Sequence, residues 1–178
     1  MRALRKAVVR NAVVGAAFLP FLAVGLAGAQ ALDDAAIVGI FDAANGWDIE
    51  TGSLAAQKAS RETVKSFGQM LAHDHESVRK QGRDLAAKLG VTPTPVASDF
   101  ALKKNHDAAM ARLKGLSGVA FDKAFLEHEV AYHKAVIDAV TTTLLPAIRN
   151  EEVKAFVAKV APAFEAHMKQ AEALLKGL

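Results

Sequence analysis

Apolar residues recur at three- and four-residue intervals along nearly all of the chain after residue 32, with no convincing run of alternating β-branched positions. The predicted class is all-α. A first helix is expected to start at Asp33-Asp34, whose carboxylates suit an N-terminal cap and the helix dipole, and to run through Phe41 and Trp47 to about Lys58. Ser60 should cap a second helix from about Arg61 to Leu89, which Gly90 stops. The connection at Ala59-Ser60 is so short that these two helices are antiparallel neighbours, unless they run on as one longer helix. Pro93 and Pro95 forbid helix in the linker that follows. Ser98 or Asp99 is expected to cap a short third segment to about Lys114. After the break at Gly115-Leu116-Ser117-Gly118, a long helix should span Ala120 to Leu145 and end at Pro146. Asn150 with Glu151 and Glu152 suits the cap of a last helix, which Pro162 should bend. Four long helices and one short extra helix predict an up-down four-helix bundle, with the proline linker as a crossover connection.

Residues 1–31 have a different pattern. Arg2, Arg5, Lys6 and Arg10 precede an uncharged Ala/Val/Phe/Leu stretch that ends in Ala29-Gln30-Ala31, as in a secretory signal peptide. Gly15, Pro20 and Gly25 interrupt its apolar core, which falls short of the ~20 apolar residues of a spanning helix. Cleavage after Ala31 is expected, leaving a domain of residues 32–178 with no transmembrane helix, delivered to a bacterial periplasm. The leader carries four basic residues and no acidic ones, so its removal takes the formal charge from +3 to −1. The mature chain therefore has no basic excess to attract nucleic acid, and one Trp and one Tyr offer few stacking platforms for bases. It contains no cysteine, which excludes disulfides, thiol nucleophiles and thiolate metal sites. One domain of this length can bury a core without such staples.

Against this apolar background three histidines stand where leucine would be expected: His75 on the stripe Val64-Phe67-Leu71-His75-Val78, His133 on Leu126-Val130-His133-Ile137, and His167 on Val160-Phe164-His167-Ala171. Burying imidazoles costs free energy unless they find partners. Counted from the turn near Ile148-Arg149, His133 and His167 differ in depth by roughly 4–5 Å at the helical rise, so they could share a site. Asp48 and His75, counted from Ala59-Ser60, are offset by roughly 6 Å, which makes Asp48 a weaker member. Glu129, one turn before His133, adds a second carboxylate on nearly the same face. The candidate metal ligands are therefore His75, His133, His167, Asp48 and Glu129, a set that suits zinc, iron or copper. Hydrogen bonding among Asp48, Glu129, Tyr132, backbone and these histidines, holding register without an ion, is the alternative. His128-Glu129 with His133 is not a metalloprotease motif, because the spacing between the histidines is five rather than four.

Other conspicuous residues read more plainly. His73, Glu76, Arg79, Lys80, Lys103, Lys104 and His106 are expected on solvated faces. Trp47 should lie in the core or at its rim. Gly46, Gly52, Gly68 and Gly82 within helical runs indicate close helix approach.

The run Asn45-Gly46-Trp47-Asp48-Ile49-Glu50-Thr51-Gly52, then Val64-Lys65-Ser66-Phe67 with Met70-Leu71-Ala72-His73-Asp74-His75, then Phe121-Asp122-Lys123-Ala124-Phe125 with His133, and Ala161-Pro162 before His167, resembles bacterial exported proteins grouped as domain of unknown function 4142. The resemblance covers most of the mature chain. It implies a ferritin-like four-helix fold and an envelope location, and no established activity. That family usually carries Glu where this chain has Asp48. Di-iron members of the ferritin-like class use Glu-x-x-His pairs, and this chain has none, which disfavours a carboxylate-bridged di-iron centre. Two functions stay open. One is a non-catalytic periplasmic module with an envelope protein as partner; the other is a metal-binding or redox protein with a mononuclear, histidine-rich site.

Overall fold

Asp33 starts the first helix by accepting the Ala36 N–H on Oδ1 at 2.8 Å. The computed structural model describes residues 32–178; the expected leader, residues 1–31, lies outside them. Among the described residues the regular elements are all helical: α1 Asp34–Lys58, α2 Glu62–Leu89, α3 Ala101–Lys114, α4 Gly118–Ala139 and α5 Glu151–Lys176. Gly90 closes α2 in the left-handed region at φ 66°, a conformation that glycine adopts without steric cost. Asn150 opens α5 by accepting the N–H groups of Glu152 and Val153 at 2.9 and 3.1 Å. Caps of this kind contribute about 1 kcal/mol each.

Contacts at the helix ends define the topology. Asp122 near the start of α4 binds the start of α2, and Arg61 donates to the carbonyls of Gly177 and Leu178 just beyond α5, both at 2.7 Å. At the other end, Asp34 accepts the N–H groups of Arg149 and Asn150, while Lys88 pairs with Glu152. Helices α1 and α5 therefore run one way and α2 and α4 the other. The long helices form two up-down pairs, α1 with α2 and α4 with α5. The linker and α3 return the chain along the bundle so that α4 runs parallel to α2, which is the expected crossover. No helix among the described residues is long and apolar enough to cross a membrane.

Local details differ from expectation. Ser60 does not cap α2; its hydroxyl donates to Asp122 Oδ2 at 2.6 Å, and the N–H groups of Ser60 and Arg61 go to the same carboxylate. The turn before α2 is thus held by another helix, and α2 itself has no side-chain cap. Neither Ser98 nor Asp99 caps α3, whose preceding residue is Phe100 with no side-chain cap. Pro146 does not end the fourth helical run, which passes through a π turn at Val140–Leu144 and continues over Leu145–Ala147. The proline ring crowds the carbonyl four residues earlier, at Thr142, and that carbonyl belongs to the widened turn. Helix α5 continues through Pro162, and the carbonyl that the proline leaves without a donor belongs to exposed Ala158, within reach of solvent.

The core has two large apolar masses separated by a polar layer, and a third, smaller cluster of Ala44, Leu102 and Tyr132. One mass contains Phe67, Leu71, Phe121, Phe125, Leu126 and Ala171; the other contains Ile37, Phe41, Val140, Leu144, Val157 and Phe164. Each long helix crosses from one to the other through a buried polar residue: Asp48 on α1, His75 on α2, His133 on α4 and His167 on α5. Helices α1 and α2 meet at Gly52 and Gly68, where a Cβ on either would lie 2.7 Å from the other's carbonyl oxygen. Glycine is required there by contact, as the sequence suggested.

Candidate metal centre

Each of the three imidazoles commits one ring nitrogen to a fixed acceptor. His75 Nδ1 lies 2.9 Å from Asn45 Oδ1, and the Asn45 amide is oriented by its own donation to the Phe41 carbonyl at 2.7 Å. An amide oxygen only accepts, so His75 Nδ1 carries the proton. His133 Nδ1 donates to the Glu129 carbonyl at 3.0 Å, which again places the proton on Nδ1. His167 Nε2 donates to Asp74 Oδ2 at 3.2 Å. The remaining nitrogens, His75 Nε2, His133 Nε2 and His167 Nδ1, are buried and have no hydrogen-bond partner. They present lone pairs inward.

The rings stand close together, with centroids 5.2 Å apart for His75 and His167, 5.4 Å for His133 and His167, and 5.7 Å for His75 and His133. One ligating nitrogen from each falls within 4.8 Å of the other two. A tetrahedral ion with Zn–N bonds near 2.0–2.1 Å needs about 3.3 Å between donors, so small side-chain rotations would close the set. Asp48 Oδ2 lies 3.0 Å from His75 Nε2 and 3.4 Å from His133 Nε2, without the alignment of a hydrogen bond to either nitrogen. Asp48 is therefore as central as the histidines and not the weaker member its helical offset implied. The close approach at Gly52, one turn along α1, lets its short side chain reach.

Glu129 is fully buried, and neither carboxyl oxygen has a hydrogen-bond partner. Its Oε2 lies 3.5 Å from His133 Nδ1, and with Asp48 and His133 it forms a second close donor group. Burial, reinforced by the charge of Asp48, pushes its pKa well above the ordinary carboxyl range and so favours its protonated form. Asp48 behaves oppositely: burial opposes its ionisation, but His75 and His133 outweigh that and hold its pKa well below the usual range. Burial lowers the pKa values of His133 and His167, against the pull of Asp48 on both and of Asp74 on His167. Burial thus favours, in both rings, the neutral form that ligates a metal.

Tyr132 donates to the Ala44 carbonyl at 2.8 Å and makes no hydrogen bond to the histidines. His106, expected in solvent, is buried. It lies on the stripe Leu102-His106-Leu113 by which α3 packs, stacks on Trp47 at 5.9 Å between centroids, and pairs with Glu50 at 3.1 Å. The spacing of those three residues was the available signal. Arg79 is half-buried and, with Arg83, grips Asp42. Trp47 sits at the core rim between Phe100 and His106, as expected. Asn45 and Asp74, which orient two of the three rings, do not stand out in the sequence; Asn45 lies three residues before Asp48 on the same helix, whereas nothing in the local pattern marks Asp74.

The sequence profile described as Domain of unknown function (DUF4142) matches residues 22–174. The chain belongs to this family. No curated protein matches this DUF4142 member in sequence. Two solved structures share its fold. The DUF305 fragment from Deinococcus radiodurans has a TM-score of 0.70 at 16% identity, covering 80% of this chain and 94% of its own. CopM in the Cu(II)-bound form has a TM-score of 0.62 at 16% identity, covering 82% and 98%. At that identity the likeness is one of helical architecture.

Proposed function

We propose that this DUF4142 protein is an exported, periplasmic, non-catalytic module that holds a divalent transition-metal ion inside its bundle. The donors are His75 Nε2, His133 Nε2, His167 Nδ1 and the Asp48 carboxylate. The observation that carries this reading is the hydrogen-bond pattern: every imidazole is oriented from outside the cluster while its inner nitrogen is left unpaired. Metal-ligating histidines are typically oriented in this way, their second ring N–H held by a carbonyl or carboxylate. A layer built only to set helix register would be expected to pair its inward atoms with one another. Here six of them, from Asp48, His75, Glu129, His133 and His167, stay unpaired.

Three imidazoles and a carboxylate suit zinc(II), copper(II) or iron(II). The fold likeness to a protein known in a Cu(II)-bound form makes copper the first ion to test. The apolar cleft lined by Ile37, Phe41, Gly82 and Phe156, and the basic one lined by Glu76, Arg79 and Arg83, contain none of the histidines. A set of four protein donors, all buried, favours holding an ion over turning over a substrate. Export rests on the basic, apolar and small-residue pattern of residues 1–31.

Elemental analysis of untagged protein from the periplasmic fraction tests both parts. About one metal ion per chain is expected, lost in His75→Ala, His133→Ala and His167→Ala, with mass spectrometry locating the mature N-terminus after Ala31. Substoichiometric metal unchanged in all three variants would end the metal reading, and retention in the cytoplasmic fraction would end the export reading.

A further inference from the structure

The three imidazoles differ in what holds them from outside. His75 is oriented by buried Asn45 and His133 by a carbonyl of fully buried Glu129, so both are sealed within the bundle. His167 is held by Asp74, whose side chain is 43% exposed. His167 is also the most exposed of the three rings, at 7% against 4% for His75 and 1% for His133. The Asp74–His167 pair is thus the point along these three rings where the donor cluster connects with water. It lies at the seam between α2 and α5.

We infer that Asp74 is the entry residue of the metal site: its half-exposed carboxylate receives the hydrated cation, and His167 takes it inward on Nδ1, the ring nitrogen that carries no proton. The chemistry on each side supports this order. A carboxylate in partial contact with water can take an aqua ion without stripping its full shell, whereas the buried imidazoles offer lone pairs that require a dehydrated one. His167 has Nε2 on Asp74 and Nδ1 facing the cluster, so a single ring touches both stations. Asp74 meets the ion first and is not one of the four inner donors. Exposed Glu50 leads instead to His106 and Trp47, and neither belongs to the cluster.

This inference rests on the metal reading above, and the two can fail separately. The single tryptophan adjoins Asp48, so quenching of Trp47 fluorescence by aqueous Cu(II) reports loading of the full mature protein in a stopped-flow experiment. Asp74→Asn keeps an acceptor for His167 and removes the charge. It is expected to slow loading by at least about fivefold and to abolish the salt dependence of the rate, since charge at an entrance acts on association and is screened by ions. Glu50→Gln should load at the wild-type rate. If the wild-type protein binds neither copper(II) nor zinc(II) nor iron(II), the metal reading fails and this inference with it. If it binds copper but Asp74→Asn loads at an unchanged rate, or Glu50→Gln is the slow variant, the entry route alone is wrong. An Asp74→Asn protein that holds no ion at equilibrium would make Asp74 part of the cage and likewise overturn its role as entrance.

Discussion

Gly52 and Gly68 face each other so closely across the α1–α2 contact that a methyl group on either would lie 2.7 Å from the other's carbonyl oxygen. This approach sets the reach of the metal centre. Asp48 lies one turn from Gly52, and its short side chain comes within 3.0 Å of His75 across the helix pair that these glycines bring into contact.

Gly52→Ala should therefore damage stability and metal affinity together. Forcing a methyl into a packed contact costs about 1–3 kcal/mol, visible in urea unfolding. The variant should also bind copper more weakly, as measured by competition with a chelator. An unchanged affinity would separate the helix contact from the site.

Glu129 gives the protein without metal a characteristic dependence on pH. An acid whose folded pKa is raised binds more protons in the folded state, so its stabilisation is full below the ordinary carboxyl pKa of 4.5 and falls as pH rises toward the folded value. The stability of wild type relative to Glu129→Gln should decline by up to about 1.4 kcal/mol per pH unit above 4.5. Thermal unfolding of both proteins across pH 4.5–7 checks this; parallel curves would mean that Glu129 is ionised in the fold.

His133 and His167 act in the opposite direction. Their pKa values are lowered in the folded state, so they contribute stability that is present above the unfolded value of 6.5 and is lost as pH falls through their folded values. Protons should likewise compete with metal only below 6.5. Release of bound copper, followed by Trp47 fluorescence during acid titration, is expected to begin below that pH and not near it.

Asp122 ties the foot of α4 to the start of α2 through three hydrogen bonds, from Ser60 N–H, Ser60 Oγ and Arg61 N–H. Asp122→Ala leaves these donors without their acceptor and should cost roughly 2–3 kcal/mol by denaturant unfolding. Metal stoichiometry should be unaffected, because the polar layer lies farther along the bundle.

Saturation with the cognate ion should stabilise the fold by about 2.7 kcal/mol at a free concentration one hundred times Kd. For a domain of this length that is roughly 6–10 °C in Tm, reversed by a chelator. The same ion should give little shift in His133→Ala.

Much of the bundle was legible in advance because helical periodicity, Asp33, Gly90 and Asn150 are local signals, each satisfied by residues within one turn. Local signals misled where the partner is distant. Ser60 has the chemistry of a cap, but Asp122, 62 residues away, takes its hydroxyl and leaves α2 without a side-chain cap. His106 looked solvated until its stripe with Leu102 and Leu113 met α1. Asp48 was placed at the margin by counting along straight helices, a count that does not include how closely two backbones can approach.

The spacing of apolar residues determined four long helices and three imidazoles on inward stripes, since periodicity dictates which side chains share a face, and Pro93 with Pro95 marked the crossover. Tertiary packing decided which of those imidazoles meet, which nitrogen of each is left free, and that Asn45 and Asp74 hold them. Such choices depend on the depth and separation of neighbouring helices, quantities that arise only when backbones touch, as they do at Gly52 and Gly68.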